Sequence, residues 1–502
     1  MNANLYALFE SRFPHDRSKL FLVTENGERF SYADLEQQTA RLAAFLSGAG
    51  VARGERVAVQ VEKSPQVLFF YLACLRAGLV YLPLNSAYQE GEVGYFLQNA
   101  EPKVVVAQPA SIPWLAPMVA RLNIPHLFSL DENGQGTLME ACAKASGDFI
   151  TVESGGDDLA SILYTSGTTG RSKGAMLTHK NLSSNALTLH RYWGFSARDV
   201  LLHALPLFHV HGLFVACHCT LLNGSAMIFH RKFDARAVMR DLARATVFMG
   251  VPTFYTRLLR EADFGADTCR NMRLFISGSA PLLPETFSAF RQRTGMTLLE
   301  RYGMTETGML TSNPLDGERV VGSAGRALPG VALRIVDAAG QTLPPGEIGE
   351  IQVKSDNVLP GYWRMPEKNL QEFTPDGFFS TGDLGRLDER GYLFIVGRCK
   401  DLVISGGYNV YPKEIELLID ALQGVAESAV FGVPHADFGE AVVAVIVPQK
   451  GAHGLTEQAV IAALKQQLAN FKAPKRVYFA DDLPRNAMGK VQKNELRKRF
   501  SA

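Results

Sequence analysis

The sequence predicts an α/β protein: a large N-terminal domain of doubly wound sheets with a small β-rich subdomain, then a small mobile C-terminal α+β domain. Three observations lead there. The chain has 502 residues, 47% of them hydrophobic, enough for more than one core. Up to about Val331, apolar runs of strand length alternate with amphipathic segments, the pattern of β-α-β units in a parallel sheet. Beyond that point the texture changes to short strands separated by turns.

The elements follow in order. "RVAVQVE", starting at Arg56, reads as a strand, and the apolar "SPQVLFFYLACLRAG" as a core helix. "VYLPLN", "EVGYFLQNA" and "KVVVAQ" continue as strand, helix and strand. The rhythm returns in "ATVFMGVP", "FYTRLLREA", "MRLFISGS", "LPETFSAFRQRTG" and "TLLERYG", where strands end at Gly, Ser or Pro loops. Ligands in such sheets bind beyond the carboxyl ends of the strands. "VALRIVDAAGQTLPPGEIGEIQVKS" and "GYLFIVGR" make the β-rich subdomain, about residues 331–397. A helix at Pro412–Ala421, strands near "SAVFGVP" and "EAVVAVIVP", and a helix from Thr456 follow. The expected division is therefore 1–397, a glycine-flanked charged hinge at 398–401, and a lid at 402–502.

Charge narrows the function. With 51 basic and 50 acidic side chains the net charge is +1, so neither nucleic acid nor an anionic membrane is expected as a partner. The six cysteines have no disulfide or zinc spacing and read as buried free thiols. The N-terminus lacks a secretory pattern, and the apolar run "VLFFYLACL" stops at Arg76, too short to insert in a membrane. A cytoplasmic location is the expectation.

"YTSGTTGRSKG", Tyr164 to Gly174, is the strongest chemical signal. An apolar strand runs into small hydroxyls and glycines, then a lysine. Such a loop turns backbone N–H groups inward around phosphate oxygens. Thr165, Ser166, Gly167, Thr168, Thr169 and Gly170 would wrap them, with Lys173 as a point charge. The spacing differs from a Walker A loop.

Together with "YGMTET" (302–307), "STGD" (380–383), "GRCKDLVISGGYNVYPKEIE" (397–416) and "PRNAMGKVQK" (484–493), this segment resembles the adenylate-forming superfamily over nearly the whole chain. That superfamily contains acyl-CoA synthetases, adenylation domains and luciferases. The resemblance implies ATP, Mg²⁺ and CoA as cofactor and co-substrates, and two reactions separated by a rotation of the C-terminal domain. It implies that Lys490 touches the incoming carboxylate and the α-phosphate, with Glu306 on Mg²⁺ and Thr305 on phosphate. Asp383 and Arg398 would hold the ribose, and Ser279, Ala280, Arg301 and Tyr302 would border the nucleotide. Lys400 falls at the hinge, and Gly406, Gly407 and Tyr408 on the CoA path. A lysine acetyltransferase and deacetylase acting on Lys490 are the regulatory partners it suggests.

Arg301 departs from the superfamily pattern, which has a small residue before the tyrosine. A guanidinium there would obstruct a long apolar tail and would be costly to leave unpaired. Arg257 in "VPTFYTRLL" and Ser279 in "ISGSAPL" border the same acyl pocket in relatives, and His209 in "PLFHVHG" falls near the reacting carboxylate. Arginine suits planar carboxylates, so the set is similar to the malonate-activating members of the superfamily. The expected reaction is ATP-dependent ligation of malonate, and less well methylmalonate, to CoA. Another short-chain acyl-CoA synthetase, or an adenylation enzyme loading a carrier protein, is the alternative.

Overall fold

Helix Pro65–Arg76 is apolar on nearly every side, and every residue from Val67 to Arg76 is buried; a helix of that composition belongs inside a core. The run ends without an orphaned charge, because Arg76 donates to the backbone oxygens of Glu36 and Phe149, both at 2.9 Å. The computed structural model describes residues 2–165, 172–405, 408–435, 439–452, 454–486 and 489–500.

These residues fall into two compact units. The first comprises residues up to Val321, Gly325–Val331 and Lys354–Thr374; the second comprises Gly322–Ala324, Ala332–Val353 and the chain from Pro375. The mixed α/β architecture foreseen from the alternating pattern is present in the first unit as two sheets flanked by helices.

One sheet of the first unit has nine strands. In spatial order they are Arg326–Ala327, Gly308–Ser312, Leu298–Met304, Leu274–Ser277, Val247–Gly250, Val200–His203, Ala226–Phe229, Leu20–Thr24 and Arg29–Ser31. The strands from Leu298–Met304 to Leu20–Thr24 pair in parallel. After Val200–His203 the chain adds one strand on one side and then the next three on the other. That reversal is a topological switch point, where loops diverge and leave a crevice at the carboxyl ends.

The other sheet runs His126–Ser129, Val104–Ala107, Arg56–Gln60, Val80–Pro83, Leu159–Thr165 and Lys173–Thr178. Its final pair is an antiparallel hairpin, with Thr165 opposite Lys173.

The second unit contains a four-stranded sheet, Ala332–Val336, Gly349–Lys354, Phe379–Leu387 and Leu393–Arg398. Its other sheet orders Tyr408–Val410, Val403–Ser405, Gly439–Pro448 and Val425–His435, with Arg476–Phe479 alongside Gly439–Pro448. Val403, Val430, Val442, Ala444 and Ile446 from these strands pack with Ile415 and Ile419 of helix Pro412–Asp420.

Candidate active site

In the first unit, Thr165 and Lys173 close the two strands around a loop whose Ser166, Gly167, Thr168, Thr169 and Gly170 lie outside the described residues. Lys173 is buried, with Nζ 3.1 Å from Glu372 Oε1 and 4.4 Å from the ring centroid of Tyr362. Tyr362 in turn donates its hydroxyl to Glu306 Oε1 at 3.2 Å, and Thr165 donates to the same oxygen at 3.2 Å. Burial, then the nearby carboxylates of Glu306 and Glu372, raise the Tyr362 phenol far above its ordinary pKa, so it stays a donor. Lysine, phenol, carboxylate and threonine thus form one connected cluster.

Tyr362 and Glu372 were not foreseen from sequence. They sit in "GYWRMPEKNLQE", which has no phosphate-loop texture, and Glu372 reaches Lys173 across 199 positions of chain.

Glu306 is buried and directed by two hydroxyls, which suits a hard oxygen ligand. Among the described residues no group of three or more His, Cys, Asp or Glu side chains could hold a metal. Magnesium needs no such group, because it takes one or two protein oxygens and completes its shell with phosphates and waters. Glu306 fits that ion. Thr305 is half-buried one residue before it.

The carboxyl ends of the nine-stranded sheet hold the other cluster. Arg301, on strand Leu298–Met304, is 3% exposed, and its Nε and Nη2 have no hydrogen-bond partner among the described residues. Its guanidinium lies against Gly278, where any Cβ would strike Cζ. Burial pulls its pKa down to about 10, which still leaves it charged near neutrality.

Ser279 follows Gly278 at φ 69°, a left-handed conformation unusual for serine. Its Oγ lies 3.3 Å from His211 Nδ1. His209 is half-buried and its Nδ1 accepts the His211 backbone N–H at 3.2 Å. Ala280 is half-buried and Tyr302 is buried. Arg257 is exposed on helix Pro252–Arg260.

In the second unit, Asp383 and Arg398 face each other across paired strands, with Arg398 Nε 2.9 Å from Asp383 Oδ1. Asp383 is 3% exposed. Lys490 closes a tight turn in which its N–H donates to Asn486 Oδ1 at 3.0 Å and its carbonyl accepts the Asn486 N–H at 3.0 Å. Burial and the cations Arg398 and Lys400, opposed by Asp383 and Asp401, bring Lys490 down to about 8.

Lys400 is exposed in the short helical turn Cys399–Asp401. Cys399 beside it is exposed as well, unlike the five buried cysteines, so the expectation of uniformly buried thiols fails at this turn. Tyr408 is 59% exposed and stacks on Phe471 at 4.6 Å. Gly406 and Gly407 lie outside the described residues.

The Gly-, Ser- and Thr-rich sequence between two paired strands, the buried Glu306 and the Asp383–Arg398 pair are compatible with a nucleotide-activating enzyme. The chain belongs to the AMP-binding enzyme family: that family's model matches residues 9–363, and the model of its C-terminal domain matches residues 414–490. The crystal structure of ATP-bound MatB from Rhodopseudomonas palustris is similar over 100% of this chain and 99% of that one, at 56% identity and TM-score 0.97. The feruloyl-CoA synthase of Amycolatopsis sp is 36% identical and the malonate–CoA ligase of Arabidopsis thaliana 34% identical. The first match covers 95% of both chains; the second covers 95% of this chain and 85% of its relative. No helix among the described residues is long and apolar enough to cross a membrane.

Proposed function

We propose that this enzyme ligates malonate, and less well methylmalonate, to CoA through an acyl-adenylate, giving malonyl-CoA, AMP and pyrophosphate. The observation that supports the substrate is Arg301: a buried guanidinium with two unpartnered nitrogens at a sheet's carboxyl end. Among the curated relatives identity alone does not choose between acids, since an aryl and a dicarboxylate ligase match almost equally well. A short dicarboxylate leaves one end to be activated and gives the other to Arg301 and Ser279. Arg257, exposed on its helix, would complete the clamp from the rim.

The residues then take the following work. Lys173, held on Glu372 and Tyr362, would meet the leaving phosphates, and Thr165, Ser166, Gly167, Thr168, Thr169 and Gly170 would wrap them. Glu306 would hold Mg²⁺, which neutralises phosphate charge when bound. Asp383 accepts from the ribose hydroxyls beside Arg398, and Lys490 sits between carboxylate and α-phosphate. Lys400 is the hinge about which the lid turns, after which Gly406, Gly407 and Tyr408 line the CoA path. A cytoplasmic location and acetylation of Lys490 by a lysine acetyltransferase belong to the same proposal.

Pyrophosphate release with ATP, Mg²⁺ and CoA, scanned over acetate, butyrate, malonate, methylmalonate, succinate and octanoate, tests it. Turnover confined to malonate and its methyl derivative is the expected result; preference for an uncharged acid overturns the assignment.

Gly278 offers a second check. Its Cβ position is occupied by the Arg301 guanidinium, so Gly278→Ala must displace that group. Malonate kcat/KM should fall by about 10²-fold, the scale of losing a charged hydrogen bond, with KM for ATP little changed. Unaltered malonate kinetics would place the guanidinium outside the acyl pocket.

A further inference from the structure

We propose that His211 is a specificity-determining residue that donates a hydrogen bond from Nε2 to the second carboxylate of the substrate, beside Arg301. This rests on the dicarboxylate reading above and names a residue that the sequence pattern did not single out.

His211 begins the π-helical segment His211–Cys217, which follows the switch-point strand Val200–His203. It is fully buried, and its Nε2 has no hydrogen-bond partner among the described residues. Buried polar atoms are nearly always paired. Here three go unmatched, Nε2 of His211 and Nε and Nη2 of Arg301, and the Arg301 charge acts directly on the imidazole. Two arginine donors and an imidazole nitrogen with no protein acceptor suit an anion.

The tautomer follows from the other ring nitrogen. If Ser279 Oγ–H donates to Nδ1 across 3.3 Å, the ring proton sits on the buried Nε2, which is then a donor. Burial, then Arg301, hold the imidazolium form far below its ordinary range. A neutral donor adds a bond to the anion without adding a second buried cation to repel Arg301.

The ring is also held in place, which a discriminating contact requires. The next residue's carbonyl, Gly212 O, accepts from His203 Nε2 at 2.9 Å. His203 is itself fixed by buried Lys63, whose Nζ lies 2.7 Å from Nδ1 and 3.0 Å from the His203 carbonyl. Lys63 follows the strand Arg56–Gln60 of the other sheet, so the ends of both sheets brace the segment that bears His211.

The test measures CoA-independent ATP–pyrophosphate exchange for malonate and isovalerate, which has the same branching without the second charge. His211→Met should lower malonate kcat/KM by about 10²-fold, mostly through KM, and leave isovalerate within about twofold. His211→Gln, which presents an amide N–H near the Nε2 position, should recover at least tenfold of that loss. Equal losses for both acids in both variants mean a packing role and overturn the inference; so does unchanged malonate turnover in His211→Met. If His211→Met does not fold, His211→Phe takes its place in the same comparison: a loss confined to malonate supports the inference, and equal losses for malonate and isovalerate overturn it. Arg301→Met separates the two levels. Should it retain malonate turnover, the dicarboxylate reading itself fails; should it abolish turnover while His211→Met does not, only the role of His211 fails.

Discussion

Lys490→Ala should lose acyl-adenylate formation by about 10²–10³-fold or more, the range for removing one positioned donor from a developing anionic transition state. Thioester formation from preformed malonyl-AMP and CoA should stay near wild type. A carboxylate must approach an α-phosphate, and two unit charges about 4 Å apart repel by about 4 kcal/mol at an effective dielectric of 20. A cation held between them removes that barrier only while it is charged. Because Lys490 is brought down to about 8 by burial and by Arg398 and Lys400, it is cationic below that pH and neutral above it. CoA-free pyrophosphate exchange should therefore fall about tenfold per unit above pH 8 in the wild type, and this limb should vanish in the alanine variant. Acetylation, which also removes the charge, should copy the alanine phenotype in both half-reactions. Near-normal exchange by Lys490→Ala would end its assignment.

Much of this was legible from residue types, because local pattern and local chemistry agree. The apolar run before Arg76 is a core helix, and Asp383 and Arg398 meet because they fall opposite one another on adjacent strands. Arg301 could be read because a guanidinium inside an apolar strand demands a reason. The rest depends on distance along the chain. Nothing local marks Val200–His203 as the strand where the sheet order reverses, yet the segment that bears His211 follows directly from that strand. Glu372 looks like any helix-surface acid until the fold brings it to Lys173. Arg257 shows the converse: a period of 3.6 predicts its helix, but which side of the helix meets solvent is settled by packing, and Arg257 is exposed.

Arg301→Met should have effects of opposite sign on activity and stability. A site built for a charged or hydrogen-bonding group rejects analogues lacking it by about 10⁴–10⁵, and removing the protein's half of that contact should cost malonate turnover on a similar scale. Butyrate should gain, since an apolar end then faces an apolar side chain. The folded state, in contrast, now holds a 3%-exposed cation with two unpartnered nitrogens. Leaving buried polar groups unpaired costs about 1–3 kcal/mol each, and exchanging a buried charge for a well-packed apolar group of similar length is often neutral or stabilising. Without substrate, the variant should therefore unfold at the same temperature as wild type or a few degrees higher. Malonate should stabilise only the wild type, by the linkage of binding to folding, while ATP should stabilise both. A variant that lost malonate turnover and also lost several degrees of stability would show Arg301 to be a structural residue. Lost turnover without lost stability is what a ligand-binding charge, held at the expense of the fold, has to produce.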